Sequence, residues 1–188
     1  IEMRIISGKL KGKSINYIKD STTRPLKDSV KESIFNVLNH SNLIETNIKE
    51  ANIFDLYSGI GSFGLECISR GANKVTFIEQ NKNSFNVLKE NLVALSVIDQ
   101  AMIINDKIEN FVDKTNKEKY NIFFLDPPFA DKNFIKNLQS IKKNKLYKNK
   151  HIIIIHRERN ANDNLDGLVK IFITKQYGRS KIIFGVFS

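Results

Sequence analysis

A chain of 188 residues with 41% hydrophobic and 27% charged content can bury one sizeable core. No apolar run reaches the roughly 18–20 residues of a membrane span, nothing like a secretory leader opens the sequence, and the single cysteine, Cys67, excludes an internal disulfide, so a cytoplasmic setting is expected. The net charge of +10 gathers in two places, with eight Lys and Arg against three acids in residues 1–31 and seven against one in residues 142–159, which points to a polyanionic partner.

In chain order, residues 4–15 read as two short strands around glycine turns. Thr23-Arg24-Pro25 leads into an amphipathic helix, with Val30, Ile34, Val37 and Leu38 at i, i+4, i+7 and i+8. Ser29 and Glu32 have capping-box spacing for its start. Residues 39–50 form a polar linker, after which strands and helices alternate. Residues 53–56 are a strand, and residues 62–70 a helix closed by Gly71. Residues 75–79 are a strand, and Phe85, Leu88, Leu92 and Leu95 mark a helix. Residues 102–104 are a strand, followed by a helix around Ile108, Phe111 and Val112. The apolar run 120–125 is a strand, and Phe134, Ile135, Leu138 and Ile141 mark the next helix. Residues 152–155 are so uniformly apolar that they belong in a central strand buried on both faces. Two last strands, near 169–177 and 181–187, are joined at Gly178-Arg179-Ser180 as a hairpin. The alternation predicts an α/β protein whose mostly parallel sheet is covered on both sides.

Two strand ends carry chemistry. Asp55-Leu56-Tyr57-Ser58-Gly59-Ile60-Gly61-Ser62-Phe63-Gly64 places Gly-x-Gly-x-x-Gly between a strand and a helix, the context of a nucleotide-type cofactor loop. Glu79 closes the next strand, where a carboxylate can accept ribose hydroxyls, and Asp106 follows the one after, where it can hold an adenine amino group. Asp55, just before the glycines, disfavours a pyrophosphate and suits an ammonium-bearing ligand such as S-adenosylmethionine (SAM). Asp126-Pro127-Pro128-Phe129 ends the strand at 120–125 in a fixed extended path. There the Asp126 carboxylate and the Pro127 carbonyl can accept hydrogen bonds from one NH2 group, and Phe129 offers a stacking face. The histidines, His40, His151 and His156, have no Cys or acid at ligand spacing, so no metal is expected.

With these residues, the chain resembles class I SAM-dependent methyltransferases, and within them the RsmD family, which methylates guanine N2 in small-subunit (16S) ribosomal RNA. The resemblance runs through Arg4-Ile5-Ile6-Ser7-Gly8, Lys9-Leu10-Lys11-Gly12, Thr23-Arg24-Pro25, Lys31-Glu32-Ser33-Ile34-Phe35-Asn36-Val37-Leu38, the glycine loop, Gly64-Leu65-Glu66, Ser69-Arg70-Gly71-Ala72, Asp126-Pro127-Pro128-Phe129 and Tyr177-Gly178. Tyr57-Ser58 departs from the family's commoner Phe-Ala, and residues 157–164 match loosely.

The resemblance implies a Rossmann-like sandwich with a seven-stranded sheet ending in an antiparallel hairpin, at residues 46–188. Residues 1–45 would be a small RNA-facing extension of hairpin and helix. It implies SAM as cofactor, held by Asp55, Tyr57, Gly59, Gly61, Gly64, Glu79, Gln80, Asp106 and Lys107, and catalysis by Asp126, Pro127, Pro128 and Phe129. Lys9, Lys11, Lys13 and Arg24 are the candidate RNA contacts, ribosomal RNA or the small subunit the partner, and a monomer the expected state. The alternatives are a DNA adenine-N6 or protein glutamine methyltransferase, a dinucleotide-dependent oxidoreductase, or a non-catalytic RNA-binding module.

Overall fold

The computed structural model describes residues 3–19, 25–112 and 118–188. Strands β1 (Met3–Arg4) and β2 (Ser14–Ile15) form an antiparallel hairpin. Helix α1 (Asp28–His40) starts one residue before the expected cap Ser29. Lys27, extended at φ −60 and ψ 142, stands at its N-cap with no side-chain cap bond. The expected capping box therefore does not form; Asp28 in the first turn complements the helix dipole instead.

The main sheet comprises β3 (Asn52–Asp55), β4 (Lys74–Ile78), β5 (Ala101–Ile104), β6 (Tyr120–Leu125), β7 (Tyr147–Glu158), β8 (Val169–Tyr177) and β9 (Ser180–Phe187). Its order is β5-β4-β3-β6-β7-β9-β8. β3 to β7 run parallel, and β9 is antiparallel to both β7 and β8. The expected run at 152–155 is the fully buried middle of β7, which extends further than predicted at both ends.

Alternation along the strands divides the interior into two layers. Ile53, Phe77, Ile122, Phe124, Ile152 and Ile154 pack with α1, α2 (Ser62–Ser69) and α3 (Lys82–Ala94). Phe54, Phe123, Leu125, Ile153 and Ile155 pack with α4 (Ile108–Val112) and α5 (Asn133–Lys143) on the opposite face. Such two-sided burial is the reason the central strands read as continuous apolar runs.

The N-terminal hairpin joins the first layer, with Met3, Ile5 and Ile15 all in its core. Gly8 permits the approach: at φ +87, its absent Cβ would lie 2.0 Å from the Ser69 carbonyl oxygen. Lys9 N donates to that oxygen at 2.8 Å, and Ser69 Oγ donates to Ser7 O at 2.6 Å. One turn back along α2, Glu66 accepts the Ile6 and Ser7 amides at 2.8 and 3.1 Å. Glu66 also meets Arg70 Nε at 3.0 Å and the fully buried Lys31 at 3.5 Å. Lys31 ties this cluster to the glycine-loop helix by donating to Ser62 Oγ at 3.2 Å.

Candidate active site

Because β3 to β6 are parallel, their carboxyl ends share one edge of the sheet, and the order reverses between β3 and β6, the geometry that opens a ligand crevice. Asp55 ends β3, Glu79 follows β4, Asp106 lies two residues beyond β5 and Asp126 follows β6. Asp55 pairs in register with Phe124, two residues before Asp126, so both acids lie on the same side of the sheet.

In the glycine loop each glycine has a different structural job. Gly61 is left-handed at φ 92, and a Cβ there would strike Leu88 at 2.5 Å. A Cβ on Gly64 would lie 2.2 Å from the Phe77 ring, so this glycine lets α2 sit against β4. Gly59, left-handed at φ 53, faces open space, as a backbone that a ligand approaches must. Asp55 is buried, its Oδ2 accepts the Gly64 amide at 3.3 Å, and its Oδ1 has no partner. Burial pushes the carboxyl well above its usual range; the Gly64 amide opposes this, and the charges of Asp126 and Glu79 add to it. An unpaired buried carboxylate oxygen is a vacant acceptor for a cationic group.

Glu79 bridges the loop and β4: Oε2 accepts the Gly59 amide and Oε1 the Asn81 amide, both at 2.8 Å. Burial raises its carboxyl, and those two amides offset part of the rise. Asp106 Oδ1 accepts from Lys107 N and Asn110 Nδ2, both at 2.7 Å, fastening the start of α4. Gln80 and Lys107 are exposed on the same rim. Tyr57 instead turns its phenol toward α5, where Asn137 Nδ2 donates to it at 3.1 Å. Burial raises that hydroxyl above its ordinary value. Ser58 Oγ donates to Ile78 O at 2.7 Å, so both hydroxyls of the unusual Tyr57-Ser58 pair have partners.

On the other side of the crevice, Pro127 is buried, Pro128 exposed, and Phe129 keeps 39% of its surface open. Two residues at the end of β7 hold this segment, and sequence reasoning missed both. The register Leu125↔Ile155 sets His156 beside Asp126, and His156 Nδ1 lies 2.7 Å from Asp126 Oδ1. Arg157 points to the opposite face and is 1% exposed. Its guanidinium donates to Pro128 O at 3.3 Å and Phe129 O at 3.0 Å, pairs with Asp163 at 2.8 Å and stacks over Phe134. None of these bonds uses the Pro127 carbonyl. The signal in the sequence was only an arginine two residues past an apolar run, and its burial and partners are invisible without the register.

The candidate RNA residues lie elsewhere. Lys9, Lys11 and Lys13 are exposed near the hairpin tip, beside the last turn of α2. Lys9 Nζ donates to Gln100 Oε1 at 2.9 Å, immediately before β5, and hence at the amino edge of the sheet. Arg24 lies outside the described residues. Cys67 is buried in the core, its thiol pushed upward by burial. His151 is a satisfied core histidine, bonded to Lys148 O and to the Phe187 amide. Among the described residues no cluster of His, Cys, Asp and Glu could hold a metal ion, and no helix is long and apolar enough to cross a membrane.

The model of the RsmD family, described as conserved hypothetical protein 95, matches residues 3–186. The chain belongs to that family. A similar RsmD-family protein is ribosomal RNA small subunit methyltransferase D of Buchnera aphidicola subsp. Baizongia pistaciae. It is 31% identical over 185 residues, which cover 98% of this chain and 91% of that one. The protein of the same name from Haemophilus influenzae is 38% identical over 130 residues, 68% of this chain and 64% of its own length. Among solved structures, HI0767 of Haemophilus influenzae superposes with a TM-score of 0.77 at 27% identity, covering 98% of this chain and 97% of its own. SMU.776, complexed with SAH, shares the fold at a TM-score of 0.66 and 13% identity, over 83% of this chain and 49% of its own. The fold is thus that of class I methyltransferases, the seven-stranded sandwich that the RsmD resemblance implied.

Proposed function

We propose that this protein transfers a methyl group from SAM to the exocyclic N2 of a guanine in small-subunit (16S) ribosomal RNA. One observation carries the reading: a buried carboxylate with a vacant oxygen, Asp55, faces across the strand-order reversal to Asp126, which is held at the mouth of an open aromatic segment. The names of the curated relatives supply the RNA class, and the SAH complex of a structural neighbour agrees with the cofactor.

The residues present fit SAM. The vacant Asp55 Oδ1 suits the methionine ammonium, Gly59 leaves room for close approach, and Glu79 and Asp106 stand where ribose and adenine would bind. Tyr57, Gly61, Gly64, Gln80 and Lys107 complete the proposed cofactor set, Tyr57 and Gly64 by shaping the loop from behind. Bound there, SAM supplies an activated methyl, so positioning furnishes most of the acceleration, up to ~7–11 kcal/mol.

Asp126 and the Pro127 carbonyl would accept hydrogen bonds from the NH2 group, turning its lone pair out of the ring. The nitrogen becomes acidic as it is alkylated, and Asp126 is the nearest carboxylate to receive the proton. Phe129 would stack the base, on the order of 1–3 kcal/mol, and Pro128 keeps the segment extended. The target guanine must be unpaired or flipped. Residues 1–45 act in this reading as an RNA-facing extension of the catalytic part at 46–188, with Lys9, Lys11, Lys13 and Arg24 contacting phosphates. Ribosomal RNA as substrate places the reaction in the cytoplasm.

The deciding experiment is mass mapping of nucleosides in small-subunit RNA incubated with the protein and labelled SAM. Label in N2-methylguanosine is expected; label in methyladenosine, or in ribosomal protein, would refute the guanine assignment.

A further inference from the structure

We propose that His156 is a positioning residue for methyl transfer, setting the carboxylate of Asp126 so that one chosen oxygen meets the amino group. This rests on the function proposed above. The parallel register of β6 and β7 brings the two side chains together, and the Nδ1–Oδ1 distance of 2.7 Å is that of a strong hydrogen bond. Since a carboxylate can only accept, Nδ1 carries a proton and donates it to Oδ1, which fixes the orientation of the ring. Asp126 Oδ1 is thereby engaged, and Oδ2 is the oxygen left for the substrate.

The carboxylate of a strand-end aspartate turns about its last torsion with broad preferences. An Asp126 that turned freely would present its oxygens to the amino group in many orientations. Next along the strand, Arg157 holds the carbonyls of Pro128 and Phe129 from the opposite face. His156 therefore fixes the side-chain acceptor and Arg157 the backbone on which the Pro127 carbonyl rides. Both grips come from consecutive residues of one rigid strand, the kind of support a precise site needs.

A purely structural role fits His156 poorly. Its Nε2 is buried with no partner, so the ring carries an unsatisfied polar atom. A hydrocarbon there would remove that penalty but leave Asp126 Oδ1 without its donor, so the ring's polar role is its bond to Asp126. A ring whose hydrogen bond goes to the proposed catalytic carboxylate, while its other nitrogen is buried without a partner, is explained by what it does to that carboxylate.

The test compares the wild-type protein with His156→Leu and His156→Asn, in SAM-dependent methylation of small-subunit RNA and in thermal unfolding. Leu fills the space without a donor, whereas the Asn amide can replace the Nδ1 proton donor. His156→Leu, which loses both the bond to Asp126 and the unpaired Nε2, is expected to unfold cooperatively within a few degrees of the wild-type temperature and to bind SAM normally. Its kcat should fall about 10- to 100-fold, with KM for RNA changed less, and His156→Asn should recover much of the loss. Proton NMR gives a readout independent of turnover: a protected imidazole N–H signal should be present in the wild type and absent in both His156→Leu and Asp126→Ala. A wild-type kcat in His156→Leu, equal losses in the two variants, or no protected signal overturns the positioning role and leaves the proposed function standing. A wild-type protein that methylates no RNA overturns both.

Discussion

The two edges of the sheet carry opposite charge and treat it in opposite ways. Along the carboxyl edge, Asp55, Glu79 and Asp126 are buried or half-buried, and burial raises the carboxyls of the first two. Along the amino edge, Lys9, Lys11 and Lys13 of the hairpin, Lys143 at the end of α5, Lys145 after it and Lys148 at the start of β7 stand in water. Desolvated charge is costly and becomes useful when a ligand answers it, whereas solvated charge is cheap and acts over a distance. Substitutions at the first edge should therefore alter chemistry, and those at the second only attraction.

The largest effect is expected at Asp126. Asp126→Asn retains the shape of the segment and the Arg157 clamp but removes the carboxylate, and single-turnover methylation should slow by about 10²–10⁴-fold. SAM affinity should be nearly unchanged. An Asn variant of wild-type speed would show that the carboxyl edge does not owe its chemistry to this charge.

Glu66 lies between the edges and tests whether buried charge can also be purely structural. It answers two backbone amides, Arg70 and the fully buried Lys31. Glu66→Gln leaves Lys31 without its counter-charge, and urea unfolding should show a loss of about 3–5 kcal/mol. A loss below 1 kcal/mol would mean that Ser62 Oγ and the Arg4 carbonyl suffice for that ammonium.

These two sites differ in how far the sequence disclosed them. Asp126 was legible because a strand end with two prolines is a local pattern, as were Asp55 and the glycine loop. The apolar middle of β7 was legible for a related reason: burial on both faces leaves no polar phase to mistake. Glu66 could be quoted as part of a family pattern, yet its task could not be read, since apart from Arg70 its partners lie 35 and about 60 residues away. His156 is the sharper case, because a lone histidine after four isoleucines looks like a strand end until the β6–β7 register supplies Asp126. The capping box misled because Ser29 and Glu32 have the right spacing but lie two residues too late, the N-cap being Lys27. The basic hairpin invited an RNA reading from its charge and from the family resemblance, while Gly8 and Ser7 show that its backbone is committed to α2.

Asp55 offers a titration test of the carboxyl edge. Its folded-state value is raised above the unfolded one, so its contribution favours folding below the ordinary carboxylate range and is lost as pH rises through the raised value. Asp55→Asn cannot ionise. Its stability without ligand should match wild type near the ordinary carboxylate range and exceed it progressively as pH rises, measured by thermal unfolding across pH. The same variant should bind SAM about 10- to 100-fold more weakly by calorimetry, the worth of one hydrogen bond to a charged group. A variant that binds as tightly as wild type would remove Asp55 from the cofactor site.

The smallest effect is predicted at the amino edge. Lys9→Gln, Lys11→Gln and Lys13→Gln together should move stability by little, since exposed lysines contribute within about 0.5 kcal/mol each. Lys9 gives up one exposed bond to Gln100, which water can replace. The amino edge lies about one strand length, on the order of 13 Å for four residues, from the carboxyl edge, so kcat at saturating RNA should also be unchanged. What should change is the dependence of RNA affinity on salt, whose slope should fall by up to about 2 for three phosphate contacts on a single strand. An unchanged slope would mean that this edge does not touch the RNA and that its lysines are only solvated. A fall in kcat would mean instead that hairpin and crevice are coupled through α2, by way of Ser69, Glu66 and Lys31.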